Sequence, residues 1–286
     1  MNKKLKNWRN RHMPLRLNPG WFLIAACISG CASQSVNDRI STAENIAHRA
    51  GFERIDIQAE RFKLMAFFRL KNAPTILRIY IEGDGFAWAT RNRPSINPTP
   101  TDPVALKLAA IDKYGAAYLA RPCQYFEIRD SGCEARYWTN ARFSSEIIDS
   151  MNEAVNQLKQ KAKVEKLVLI GYSGGGTVAA LIAARRKDVI QLATVAGNLD
   201  HKAWTRYHSI SELKNSLNPP DYWREIGNIS QIHFVGMNDS IVPLDVYQSY
   251  RNAFFASDKI QAKVIPDNDH NCCWEHVWPS LLEDLN

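Results

Sequence analysis

What this 286-residue chain lacks narrows its function before any motif is considered. No Asp or Glu occurs in the first 30 positions, so Lys3, Lys4, Lys6, Arg9, Arg11 and Arg16 stand there uncompensated. Most of the formal charge of +7 belongs to that leader, since the rest of the chain carries 30 basic against 29 acidic residues. No basic stripe interleaved with aromatics follows it, which argues against a nucleic-acid partner. The leader's apolar run, residues 21–28, falls short of the roughly 20 residues needed to span a bilayer. C-x-x-C pairs are absent and no histidine spacing suits a zinc site, so neither a metal nor another cofactor is expected. Internal repeats and low-complexity segments are also missing. What remains, 45% hydrophobic and 23% charged, suits one α/β domain with a continuous core.

The leader reads as an export signal: a basic segment, a short apolar run, then Ser29-Gly30-Cys31. Residues 28–31 resemble the lipobox of bacterial lipoproteins, and the resemblance implies thioether-linked lipid on Cys31. Several acyl chains on one residue anchor stably where a single chain would be marginal. Ala32 in place of Asp resembles outer-membrane sorting, so the expected location is the cell envelope, with the outer membrane facing the periplasm. The expected organisation is a signal peptide over 1–30, a polar tether over 31–39 and one domain over 40–286. Cys123, Cys133, Cys272 and Cys273 remain, and an even set in an exported protein suggests disulfides. Three pairings exist; pairing Cys123 with Cys133 closes a short loop but leaves Cys272 and Cys273 as an awkward adjacent bridge.

The most informative stretch is residues 166–185. Leu167-Val168-Leu169-Ile170 is a short apolar run without alternation, as in a strand buried on both faces. It enters Gly171-Tyr172-Ser173-Gly174-Gly175, a G-x-S-x-G pattern, and then an Ala- and Leu-rich segment of helical character. Strand, sharp turn and helix are the context in which such a serine is pushed outward as a nucleophile. A bare G-x-S-x-G is otherwise only a glycine-rich turn, so the serine needs a base, an acid and an oxyanion hole elsewhere.

The remaining chain supplies candidates in order. Residues 40–50 read as a helix, and 62–69 and 76–81 as strands. The second strand runs into Glu82-Gly83-Asp84-Gly85, and the N–H of Asp84 or Gly85 is a candidate oxyanion donor beside that of Gly174. For that role the carboxylates of Glu82 and Asp84 must point away. Residues 89–102 read as a long irregular loop, 103–112 as a helix, 116–120 as a strand, 121–143 as irregular and 144–163 as an amphipathic helix. After the elbow, strands over 189–195, 231–235 and 263–265 alternate with helices over 244–255 and 274–285. A helical cap is expected over 201–220. Asp239 follows the strand at 231–235, and His270 follows the last strand.

The order Ser173, Asp239, His270, each at the end of an expected strand, resembles the α/β-hydrolase superfamily over about residues 62–286. The resemblance implies a mostly parallel central sheet with helices on both faces. It also implies Ser173 as nucleophile, His270 as general base and Asp239 as the acid that orients the imidazole. Asp267 and Asp269 are rival acids and His276 a rival base, while His201, His208 and His233 read as structural. The resulting expectation is a lipid-anchored serine hydrolase acting on acyl bonds, first of all carboxylic esters, in small-molecule or lipid substrates. Acyl transfer or amide cleavage by the same triad, and a catalytically silent envelope binder, stay open.

Overall fold

The computed structural model describes residues 34–71, 74–128, 132–255 and 258–285. The leader and Cys31 lie outside them. Among the described residues ten strands form: β1 (Glu53–Ala59), β2 (Phe62–Arg69), β3 (Ile76–Ile81), β4 (Trp88–Thr90), β5 (Arg93–Pro94), β6 (Ala116–Leu119), β7 (Lys166–Tyr172), β8 (Val189–Val195), β9 (Ser230–Gly236) and β10 (Ile260–Ile265). The helices are α1 (Val36–Arg49), α2 (Val104–Ile111), α3 (Ser145–Ala162), α4 (Gly174–Ala183), α5 (His201–Tyr207), α6 (Trp223–Ile226), α7 (Leu244–Asn252) and α8 (Trp274–Leu281).

Eight strands make one sheet in the order β1-β2-β6-β3-β7-β8-β9-β10. β2 pairs antiparallel with both β1 and β6, and the other five pairs run parallel. This is the expected α/β-hydrolase architecture. Alternate side chains of each central strand enter opposite cores, as the two-residue repeat of a strand requires. Leu77, Ile79, Leu167 and Leu169 pack with α3 and α4 on one face. Tyr80, Val168 and Ile170 pack with α1, α2 and α8 on the other. A parallel sheet covered on both faces puts the carboxyl ends of β3, β7, β8, β9 and β10 at one edge, where the site is built.

Several boundaries differ from the sequence reading. Helix α1 begins at Val36, so residues 36–39, expected in a tether, form its first turn. A capping box explains this: Ser35 Oγ accepts from Asp38 N–H, and Asp38 Oδ2 accepts from Ser35 N–H at 3.0 Å. Strand β1 was not expected, although Ile55, Ile57 and Ala59 alternate with Arg54, Asp56 and Gln58 as a half-exposed edge strand should. The segment over 89–102 contains all but the first residue of a small hairpin, β4–β5. In the segment read as a cap, only α5 and a 3-10 turn at Pro219–Tyr222 are helical. Among the cysteines, Cys123 pairs with Cys133, with Cα atoms 5.7 Å apart, and Cys272 with Cys273.

One charge interrupts the apolar run of β3. Arg78 is buried, bridges to Asp112 Oδ1 at 3.2 Å and donates to Leu285 O at 2.5 Å. Tyr80 donates to Asp112 Oδ2 at 2.7 Å, so the acid is shared by two side chains of one strand. The pair ties β3 to the loop after α2 and to the end of the chain. Leu169, fully buried at the centre of β7, carries no such compensation. Leu169→Ala is expected to cost about 2–5 kcal/mol, read as a lower urea midpoint at unchanged slope.

Candidate active site

Ser173 sits between β7 and α4 with φ 51° and ψ −122°, a backbone conformation that is costly for a residue with a Cβ. The surrounding backbone holds it there: Ser173 N–H donates to Val195 O at 3.0 Å, and Ser173 O accepts from Gly176 and Asn198 N–H at 2.9 and 3.0 Å. The turn is also crowded. A Cβ at Gly175 would overlap the carbonyl oxygens of Ile81 and Glu82, so α4 can pack against the end of β3 only through a bare Cα.

The three expected side chains meet. His270 Nε2 lies 3.0 Å from Ser173 Oγ, and His270 Nδ1 lies 2.9 Å from Asp239 Oδ2. The other oxygen of Asp239 accepts from the N–H groups of Ile241 and Val242 at 2.9 and 2.7 Å. An ionised carboxylate only accepts, so the proton belongs on Nδ1 and Nε2 keeps its lone pair toward the serine. Asp239 is fully shielded from solvent, whereas a tenth of the His270 side chain is exposed. Tyr172 Oη and Trp274 Nε1 both donate to His270 O at 3.1 Å, which fixes the loop that carries the imidazole.

The rival residues are occupied elsewhere. Asp269 Oδ1 accepts from Asn271 and Cys272 N–H at 2.8 and 2.7 Å, in a turn of its own loop. Asp267 is exposed after β10, and His276 is exposed on α8. Burial lowers His233 to about 3, so it stays neutral, 2.8 Å from Thr194 Oγ1. His201 is buried against Leu217 O, and His208 lies 2.8 Å from Ile241 O.

The candidate oxyanion loop differs in one respect from expectation. Glu82 does turn inward, where Oε1 accepts from Gly83 N–H at 2.9 Å and Oε2 from Tyr118 Oη at 3.2 Å. Asp84 does not point away. Its carboxylate lies against the Cα of Gly174, where any Cβ would overlap Oδ1, and it lines the cleft. Two guanidiniums offset the charge: Arg121 Nη1 at 3.2 Å and Arg142 Nη1 at 2.5 Å. Burial alone would raise the Asp84 carboxyl, but Arg142 and Arg121 outweigh it and hold it below its ordinary value. Gly174 opens α4, so its N–H has no preceding helical turn to donate to. Gly85 has φ 63° and sits close under Pro98 O, a position that admits no side chain.

A cleft of about 400 Å³ contains Ser173 and His270, with Phe86, Trp88, Trp204, Ile241 and Val242 as apolar wall and Arg142 and Asp84 as polar wall. Trp204 reaches it because its Nε1 donates to Ile241 O at 2.7 Å, tying α5 to the Asp239 loop. The two arginines were not foreseen. They stand 37 and 58 residues from Asp84, in a stretch without periodicity, and no local pattern links them.

With this geometry in hand, comparison with known proteins defines the fold. A family model described as the alpha/beta hydrolase fold matches residues 120–207. No curated protein matches the chain. An esterase of Pyrococcus furiosus superposes with TM-score 0.56 at 15% identity, over 82% of this chain and 90% of that one. Est1E from Butyrivibrio proteoclasticus gives 0.57 at 14%, over 81% and 97%. An acylaminoacyl peptidase of Pyrococcus horikoshii gives 0.59 at 11%, over 82% of this chain and 41% of that one. The chain therefore has the α/β-hydrolase fold, which these neighbours carry with different specificities.

Glu82 provides a check on the electrostatics of this edge. Burial pushes its carboxyl up from 4.5 to about 7, so between those values the folded chain binds more protons than the unfolded one. Stability should fall as pH rises through that window and level off above it. Glu82→Gln should remove this share of the decline, measured as a melting temperature that drops less between pH 5 and pH 8 than that of the unsubstituted protein.

Proposed function

We propose that the protein is a serine hydrolase that cleaves carboxylic esters through an acyl-enzyme. The observation that carries this reading is the continuous pair of contacts from Ser173 Oγ through His270 to Asp239. Ser173 Oγ attacks the ester carbonyl as His270 Nε2 takes its proton. Asp239 holds the imidazole in that tautomer and stabilises the cation that forms. The N–H groups of Gly174 and Asp84 receive the oxyanion, which the neighbouring Arg142 and Arg121 favour by offsetting the Asp84 carboxylate. Collapse expels the alcohol, which takes the proton from His270. Water then attacks the acyl-enzyme by the same route and frees the acid and Ser173.

The apolar side of the cleft suits an acyl chain, and the esterases among the structural neighbours favour ester over amide substrates. Acyl transfer remains a variant of the same chemistry, with a different acceptor replacing water. The Cys123–Cys133 disulfide fits an oxidising compartment, as export through the leader requires. On this reading Cys31 carries the lipid that holds the enzyme at the outer membrane, facing the periplasm.

Ser173→Ala should lower kcat/KM for short acyl esters by at least about 10⁴-fold with folding retained, and Asp239→Asn by a similar order. A fluorophosphonate should label the unsubstituted protein at Ser173; a folded protein that resists labelling would instead be a binder on the hydrolase fold. For the anchor, Cys31→Ser should move the protein from the membrane to the soluble fraction of expressing bacteria, and an unchanged distribution would refute the lipid.

A further inference from the structure

Helix α1 begins beside the active-site cleft. It carries Arg39, buried, whose guanidinium binds two carbonyls: Nη1 donates to Thr99 O at 3.1 Å and Nη2 to Gln34 O at 3.0 Å. The same guanidinium lies 4.6 Å from the centroid of the Phe86 ring. Phe86, Pro100 and Thr101 line the cleft that contains Ser173. One buried side chain thus pins Gln34 to the rim of the cleft. Cys31 precedes Gln34 by only three residues. An extended chain spans at most about 3.6 Å per residue, so the Cα of Cys31 stays within about 11 Å of that of Gln34 in any conformation. A lipid on Cys31 would leave this part of the rim little room to stand off from a bilayer.

The rim at this point has the chemistry for such a contact. Between Phe86 and Thr99 the chain makes the hairpin β4–β5, closed by Phe86 N–H on Pro98 O and Ser95 N–H on Ala87 O, both at 3.0 Å. The hairpin exposes Ile96 to 89% and Trp88 to 40%. Single exposed apolar side chains are ordinary. These two are not scattered, because Ile96 follows Ser95 and Trp88 follows Ala87, the two residues that pair. Residues 85–101 also contain Arg91 and Arg93 and no Asp or Glu. Both arginines are exposed. Apolar side chains with cations beside them and no acids suit the interface of an anionic bilayer. The nearby attachment point at Cys31 favours a bilayer over a protein as the partner.

We propose that the hairpin β4–β5 docks on the bilayer that holds the protein, with Ile96 and Trp88 at the boundary of headgroups and acyl chains, so that the cleft draws its acyl esters from that bilayer. The proposal rests on the reading of Cys31 as the lipidated residue. Tether and hairpin act together: the lipid keeps the α1 end of the rim near the surface, and the hairpin turns the cleft toward it. Trp88 serves both purposes, since it also lines the cleft. The acyl part of a bilayer ester can then pass along Trp88 to Ser173 without crossing water.

The test uses the full-length protein, lipidated in bacteria and reconstituted into phosphatidylethanolamine–phosphatidylglycerol vesicles. An environment-sensitive dye on Ile96→Cys should shift to the blue and be quenched by spin-labelled lipids. The same dye on Lys113→Cys, exposed before the amino end of β6 and so at the opposite edge of the sheet, should do neither. This readout needs no hydrolysis. Ile96→Glu should slow turnover of p-nitrophenyl palmitate carried in the vesicles at least about fivefold and leave turnover of soluble p-nitrophenyl acetate unchanged. Equal quenching at the two dye positions, or unchanged turnover of the palmitate ester, would overturn the docking face while the anchor stands. The anchor is read separately: Cys31→Ser protein that stays in the membrane fraction would overturn both. Quenching at Ile96→Cys with neither ester turned over would keep the docking face and refute the hydrolase.

Discussion

The close approach of α4 to the carboxyl ends of β3 and β7 is the constraint on which the rest of the edge depends. It requires a bare Cα at Gly175 against Ile81 and Glu82 carbonyls, and it forces Ser173 to positive φ. Strain of this kind costs of order 1–3 kcal/mol and persists only where its surroundings over-determine it. Here the neighbouring strand β8 takes the Ser173 N–H, and the loop after β8 donates to its carbonyl. The consequence is geometric: the hydroxyl stands clear of the sheet at the edge where Asp239 and His270 also emerge.

The same approach shapes the electrostatics. Gly174 must lack a side chain because the Asp84 carboxylate occupies that space, and Asp84 can lie so close to the elbow only because two arginines accompany it. Charges partly removed from water interact strongly, so removing one partner leaves another uncompensated. Glu82, two residues earlier, solves its burial differently, by binding the Gly83 N–H and the Tyr118 hydroxyl and holding its proton to about pH 7. Two acids two residues apart thus have opposite protonation tendencies because one has cationic partners and the other does not.

Much of this was legible in the chain because the signals were local. The run Leu167–Ile170 and its glycines announce a buried strand and a sharp turn, and Asp239 and His270, whose side chains meet at Ser173, stand out by their positions just after strands. Strand β1 carries an equally local alternation at Ile55, Ile57 and Ala59, but with charged and polar residues between them it lacks the long apolar run of a central strand. The start of α1 was hidden in a polar stretch whose meaning lies in the reciprocal Ser35–Asp38 bonds. Contacts between distant segments were not legible. Arg121, Arg142 and Asp84 meet only after the sheet has formed, as do Arg78, Asp112 and the end of the chain. The pairing of Cys123 with Cys133 is likewise a fact of three-dimensional proximity, which four cysteines in a row of residues leave open.

The central claim is that Ser173 is an outward-facing nucleophile whose attack places negative charge between Gly174 and Asp84. A crystal structure of the protein after reaction with a phosphonate ester tests it most directly, since the tetrahedral phosphorus mimics the attacked carbonyl. The account predicts phosphorus bonded to Ser173 Oγ, a phosphonyl oxygen within about 3 Å of both N–H groups, and His270 Nε2 beside the leaving-group position. An unmodified Ser173, or an adduct whose oxygen faces away from Gly174 and Asp84, would contradict it.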